Sequence, residues 1–537
     1  MHRAAFLRWR MSFIGKPVST FPGHALGAAL LLSMSAAASA QSAASAPFHL
    51  QEATIDGIHA AMRSGELTCT RLVQAYLDRI AAYDQAGPKL NAVQNVNPHA
   101  LARAGKLDAA WRTAGPVGPL HCIPVLVKDE VDTSFMPTTY GSALFKTFVP
   151  PRNATIVERL EAAGAVILAK TNMGEFAQAY SGSAFGDCHN AYDPRRSPSG
   201  SSCGTAIGVA ANFAAVGIGE DTGGSIRGPA AHASLVGLRP TLPLVSRAGM
   251  MPFAPTRDTL GPLTRTVTDL AIVLDAIAGY DPEDPITAWS YGQQPQTYTR
   301  FLLADAPAGM RFGVIRVPMS RDTDTKAADY QETQAAISRA VADLTAHGAQ
   351  VIDPVVIPDL KELVAAGGGG GDTFEAEAAI NKFLAQFPDA PVHTLREIVD
   401  SPLVIAKRRE ELGRSLGRTA DEPGAVKQAN ARDELRTLVL KVMADYRLDA
   451  LIYATYDHAP ALVPKSTPGT NRVLASITAF PAISVPGGFF ADGLPIGIEL
   501  LGRPYAEGTL IKAAFGYEQA TRHRHPPATT PPLPGEP

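Results

Sequence analysis

Between Ser197 and Arg227 the chain reads SPSGSSCGTAIGVAANFAAVGIGEDTGGSIR, two serine–glycine clusters joined by small apolar residues. That composition leaves few folds open. The run CGTAIGVAANFAAVG has the Ala and Gly content of a tightly packed helix, with Ser201 and Ser202 at its positive N-terminal end. AAVGIGED (Ala214–Asp221) reads as a short buried strand. Thr222-Gly223-Gly224-Ser225 then turns sharply out of it, and consecutive glycines leave backbone N–H groups unobstructed. Such a turn can aim several amides at one point.

Upstream, Lys128 ends the apolar run of HCIPVLVKDEVDT. A nucleophilic serine needs a base for its proton and hydrogen-bond donors for the oxyanion. Two serine clusters and a strand-end lysine supply both without a histidine. Burial of the lysine stem predicts a pKa lowered toward neutrality, as a lysine base requires. Each piece alone has a plainer reading. Gly-Gly-Ser turns are ordinarily loops, and strand-end lysines are ordinarily solvated. Their conjunction, in order, points to acyl transfer.

These residues resemble the amidase signature family, whose members carry a GGSSGG box and a DTGGSIR turn; this chain has SGSSCG and EDTGGSIR, with 24 residues from Ser201 to Ser225. The likeness runs from about residue 53 to 524, through KTNMGEF (Lys170–Phe176), SAFGD (Ser183–Asp187), RDTLGPLTRTVTD (Arg257–Asp269) and AFPAISVPGGF (Ala479–Phe489). The resemblance implies Ser225 as nucleophile, Ser201 as the bridging serine after a cis peptide bond, and Lys128 as base. It implies an oxyanion hole from the amides of Thr222, Gly223, Gly224 and Ser225, with Ser202, Asp221 and Arg227 in support. It also implies an α/β fold, one large mixed sheet covered by helices on both faces, and amide hydrolysis with no cofactor or metal. Three positions depart from the pattern. Ser199 and Cys203 replace glycines of the box, and Glu220 stands where threonine is usual.

Two rivals follow from the same residues. Gly200-Ser201-Ser202-Cys203-Gly204 fits G-x-S-x-G, an esterase-type elbow with Ser202 attacking and Asp457 and His458 as candidate partners. That elbow needs a strand directly before it, and HNAYDPRRSPS (His189–Ser199) is a polar, proline-broken loop. The other rival is an amidotransferase A-type subunit working with cytoplasmic partners.

The N-terminus speaks against that location. Residues 1–40 read as a secretory signal: Arg3, Arg8, Arg10 and Lys16, then ALGAALLL (Ala25–Leu32), then SAAASA (Ser35–Ala40). An exported, periplasmic or secreted protein is expected. The apolar run is too short to span a membrane, and after Ala40 no other segment approaches 18 apolar residues. Removing those four basic residues takes the net charge from −3 to −7, which leaves no electrostatic footprint for nucleic acid.

Residues 41–525 read as a single domain. Leu72, Val73, Tyr76, Leu77, Ile80 and Tyr83 share one helix face; ATIVERLEAAG (Ala154–Gly164) is a glycine-closed helix and AVILAK (Ala165–Lys170) a buried strand. Helix and strand alternate again near Leu344–Ile357 and Val442–Tyr453. Cys69, Cys122, Cys188 and Cys203 have no metal-site spacing and can pair in an oxidising compartment, with Cys203 read first as a small filler. The glycine run Gly367–Gly371 lacks the lysine of a phosphate cradle and reads as a hinge. The stretch 365–425 is least family-like and is expected to shape specificity. The proline-rich tail, residues 526–537, is expected to be disordered. YEQATRHRHPP resembles secreted bacterial relatives of peptide amidases, which favours peptide C-terminal amides or small aryl and alkyl amides as substrates.

Overall fold

In the computed structural model, residues 47–303, 305–368 and 374–537 are described. The expected signal at 1–40 and the last three glycines of the Gly367–Gly371 run lie outside them. Thirteen strands follow in chain order: β1 (Val93–Val96), β2 (Pro124–Lys128), β3 (Val166–Thr171), β4 (Ser181–Gly182), β5 (Gly186–Asp187), β6 (Val216–Glu220), β7 (Val236–Arg239), β8 (Leu260–Thr264), β9 (Arg311–Val314), β10 (Gln350–Ile352), β11 (Ala450–Ala454), β12 (Ala482–Phe489) and β13 (Pro495–Leu501). Eleven form one sheet in the order β1-β3-β2-β6-β8-β7-β12-β13-β11-β9-β10, while β4 and β5 pair separately. The sheet is mixed: β2 runs parallel to β3 and β6, and β8 runs antiparallel to β6 and β7.

Every residue of β2, β3 and β6 is buried. Alternate strand residues point to opposite faces, so burial along the whole strand means that both faces are covered. The helix Cys203–Ala210 does part of this covering, and all eight of its residues are buried, as its small-residue sequence predicts. The helix Cys69–Tyr83 buries Leu72, Val73, Tyr76 and Ile80, the face that the periodicity marks. Residues Phe48–Pro537 hold together as one compact unit.

The tail differs from expectation. Arg79, fully buried in the helix Cys69–Tyr83, donates to the carbonyls of Thr530 (2.7 Å) and Pro531 (3.2 Å) and pairs with Glu536 at 2.9 Å. Leu50 N also donates to Pro537 O at 2.7 Å. A buried guanidinium needs acceptors for its donors, and the tail's proline-rich backbone supplies them.

Candidate active site

Parallel pairing brings the site together. The registers Val127↔Ile218 and Lys128↔Thr171 set the C-terminal ends of β2, β3 and β6 along one sheet edge, where ligands of open α/β sheets collect. Lys128 is the last residue of β2 and Glu220 the last of β6. The turn Asp221–Ser225 leaves β6 there, and the helix Cys203–Ala210 starts there, just after Ser201 and Ser202. Ser202 N donates to Ser225 O at 3.3 Å and so ties the two serine clusters together.

Lys128, fully buried, donates from Nζ to Ser201 Oγ at 2.8 Å. The Gly200–Ser201 peptide bond is cis. A Cβ on Gly200 would sit 1.7 Å from the Ala179 carbonyl oxygen, so the box approaches its neighbour too closely for any side chain there. Ser225 is 8% exposed. Among the described residues its hydroxyl makes no hydrogen bond to protein, Ser201 included.

The oxyanion turn needs one correction. Gly224 N donates to Asp221 Oδ1 at 2.8 Å, so that amide is already occupied. The amides of Thr222, Gly223 and Ser225 make no hydrogen bond within the described residues and are free to donate. Asp221 organises the turn from below. It also accepts from Ile226 N (3.2 Å) and pairs with Arg227 (3.2 Å) and Arg239 (3.0 Å). Burial pushes its carboxyl upward, but the two guanidiniums outweigh that and hold it well below the usual range. Arg227 in turn reaches Glu499 and Ser476 and is held above its ordinary value by Asp221 and Glu499 despite burial.

Arg472, which sequence reasoning missed, braces the other side. Its Nη1 donates to Ser199 Oγ (3.1 Å), Gly200 O (3.0 Å) and Gly224 O (3.1 Å), and its guanidinium lies 5.1 Å from the Tyr456 ring centre. Gly224 has φ +105°, and a Cβ there would meet Arg472 Cδ at 2.2 Å. The glycine is therefore required twice, by conformation and by contact.

The electrostatics of Lys128 also differ from expectation. Burial does work to lower its pKa, but the carboxylates of Glu130, 2.7 Å away, and Glu220, 2.8 Å away, overcome it and hold the ammonium above its ordinary value. Burial, reinforced by Glu220 and opposed by Lys128, pushes Glu130 up to about 8. Glu220 is the departure visible in the sequence; Glu130 went unnoticed, although a residue two beyond a strand-end lysine falls on the same face of an extended chain.

Ser202 is buried, donating to Glu220 O at 3.1 Å and accepting from Glu220 N at 3.2 Å. It acts as a brace between the helix and β6. His458 pairs with Asp329 at 3.0 Å and accepts from Asp324 N, while Asp457 accepts from Thr323 and Asn471. Neither reaches Ser202, so the elbow reading lacks its partners. Cys203 is no free filler: it pairs with Cys188, as Cys69 does with Cys122. Among the described residues no His, Cys, Asp and Glu group is arranged to hold a metal.

A serine beside unoccupied amides and a serine-linked buried lysine, on a mixed sheet of eleven strands, form the candidate site. The Amidase family profile matches residues 71–511. The native peptide amidase of Stenotrophomonas maltophilia superposes with a TM-score of 0.82 at 34% identity, covering 90% of this chain and 100% of that one. A protein of Arabidopsis thaliana named probable amidase is 33% identical over 524 residues, 92% of this chain and 95% of its own length. The A-type subunit of the glutamyl-tRNA(Gln) amidotransferase from Thermosynechococcus vestitus is 34% identical over 498 residues, 87% and 98% of the two lengths. The chain belongs to the amidase family, enzymes that cleave amide C–N bonds.

Proposed function

We propose that this enzyme hydrolyses carboxamides through an acyl-enzyme on Ser225, with Ser201 and Lys128 relaying the proton. The observation that carries the reading is the Lys128 Nζ to Ser201 Oγ hydrogen bond of 2.8 Å at the edge where the Ser225 turn emerges. Ser225 Oγ attacks the carbonyl carbon and gives its proton to Ser201, whose own proton passes to Lys128. The oxyanion rests on the amides of Thr222, Gly223 and Ser225. Collapse breaks the C–N bond, the amine leaves with the proton returned through Ser201, and water then releases the acid from Ser225. Because two carboxylates hold Lys128 charged, the neutral amine forms by passing a proton to Glu130, 2.7 Å away.

Primary amides, the peptide C-terminal amide foremost, are the proposed substrates. The likeness to a peptide amidase over the full length of that chain supports this. The similarity to A-type amidotransferase subunits favours a second reading, a component that works with partners. Two disulfides, which persist in oxidising compartments and are rare in the cytosol, support export and a free-standing hydrolase. Purified protein assayed alone on peptide amides, anilides, fatty amides and esters decides between them. Turnover of peptide amides without a partner supports the hydrolase, and activity only with added partner proteins overturns it.

A further inference from the structure

A cavity of about 20 Å³ lies against Glu130 and Glu220, the two carboxylates paired with Lys128, and against Thr222 of the turn. Glu130, Glu220, Asp258, Thr222, Tyr140 and Phe176 line it. Its volume is enough for one water-sized species and little more. Ile380, from the divergent 365–425 stretch, also lines it.

Three carboxyl groups and a single ammonium, Lys128, meet here in buried surroundings. Arg257, next to Asp258 in sequence, donates to Gly368 O at 3.0 Å and forms no ion pair with these carboxylates among the described residues. Arg257 still acts on Asp258 and Glu220 at longer range, so the three carboxyl groups, when all are ionised, face two cations and are one positive charge short. Burial and the neighbouring Glu220 raise Asp258 to about 6, just as Glu130 is raised. Two polar atoms also lack a hydrogen bond. Asp258 Oδ2 accepts from Phe253 N and Ala254 N, both at 2.7 Å, but its buried Oδ1 accepts nothing. The buried hydroxyl of Tyr140 has no hydrogen bond of normal geometry; it faces the Asp132 carboxyl and keeps its lone pairs free to accept. A small cation carrying several N–H donors would supply the missing charge and satisfy both atoms, which a neutral water would do only in part.

We propose that this cavity binds one ammonium ion, held by Glu130, Glu220, Asp258 and Tyr140; as a product site, it rests on the reading that the enzyme releases ammonia from primary amides. Ammonia leaving the Ser225 acyl group takes up the proton that Glu130 received from Lys128, becomes ammonium and is retained among the three carboxylates. A cation of similar size without N–H donors offers charge alone and binds less well.

The test is a titration of the full chain, without substrate, by calorimetry and thermal melting at fixed ionic strength and a pH just above the value of about 8 at which Glu130 ionises. Ammonium chloride is compared with potassium chloride and tetramethylammonium chloride. One ammonium per chain is expected, with a saturable rise in Tm, affinity at least about tenfold above potassium, and no response to tetramethylammonium. Asp258→Asn should weaken ammonium binding by roughly 10- to 100-fold. Tyr140→Phe, which removes only a hydroxyl, should weaken it by roughly three- to tenfold and serves if the first variant fails to fold. No saturable response, an equal response to potassium, or unchanged affinity in Tyr140→Phe overturns the site. The substrate reading stands or falls separately: ammonium binding without amide turnover sinks that reading alone, and amide turnover without ammonium binding sinks this site alone.

Discussion

Lys128 Nζ and Glu220 Oε2 lie 2.8 Å apart, and the other oxygen of the same carboxylate accepts from Thr222 Oγ1 at 2.5 Å. One side chain thus joins the lysine of β2 to the turn that presents Ser225. The threonine usual at this position in the family would carry no charge, so Glu220 changes the state in which Lys128 rests. With Glu130 on its other side, Lys128 sits in a Glu–Lys–Glu cluster whose protons belong to the group rather than to one residue.

A pH profile follows. Below about 8 the cluster holds an extra proton on Glu130 and Lys128 stays charged, so activity should rise with pH through about 8 and stay high above it. Glu220→Gln removes the repulsion that helps raise Glu130, and the rising limb should move to lower pH. Glu130→Gln removes the group that takes the lysine proton, and the limb should move to higher pH, costing about tenfold in rate per unit at neutral pH. Lys128→Arg should be inactive throughout, since a guanidinium keeps its proton. Profiles of kcat/KM measured in ammonium-free buffer check this; limbs that coincide in all active variants would remove both carboxylates from the mechanism.

Ser225→Ala should abolish hydrolysis and leave the melting temperature unchanged within error, because its hydroxyl holds nothing in the protein. A fluorophosphonate should label Ser225 and spare Ser202, whose hydroxyl is held in both directions by the backbone of Glu220. Ser202→Ala should cost roughly 10- to 1000-fold, since it braces a site of charge development. Mapping of the label to Ser202 would reinstate the elbow reading.

Asp221→Asn tests the support beneath the turn. The substitution leaves Arg239 buried without an ion pair and Arg227 with Glu499 alone. Breaking such a buried network by removing one partner costs about 3–5 kcal/mol, and urea unfolding should register it. Loss of activity should exceed the loss of stability, because the same carboxylate holds Gly224 N and Ile226 N in place.

The parts of the site that follow one another along the chain are legible in the sequence. Strand, glycine turn and serine in Ala214–Ser225 announce themselves through local pattern, and so does the alternation of helix and strand across ATIVERLEAAG and AVILAK. Contacts made at long range are not. Arg472 meets Gly224 across 248 positions of the chain and lies in a stretch with no motif of its own. Asp258 sits inside a stretch that resembles the family, but nothing local says that one of its oxygens stays unpartnered. The lysine's own burial gives the wrong direction for its pKa once two carboxylates arrive on neighbouring elements. Proline content gives the wrong state for the tail, whose order depends on Arg79, an arginine on a buried helix face far upstream.

The last prediction joins the disulfides to location. Cys188–Cys203 closes 15 residues of sequence and fixes the first residue of the helix that follows Ser202; Cys69–Cys122 closes 53. On the loop-entropy argument each contributes about 3–4 kcal/mol by restricting the unfolded chain. Protein made in an oxidising compartment should therefore melt well above the same protein reduced, and activity should fall first in Cys203→Ser, whose bridge borders the serine box. If the proposed export is right, the mature chain starts near Gln41 and carries no titratable thiol. N-terminal sequencing with a thiol titration under denaturing conditions reads both at once. Full-length protein with four free thiols and full activity would mean that neither the bridges nor export is part of how this enzyme works, and the amidotransferase reading would then gain the ground that export now denies it.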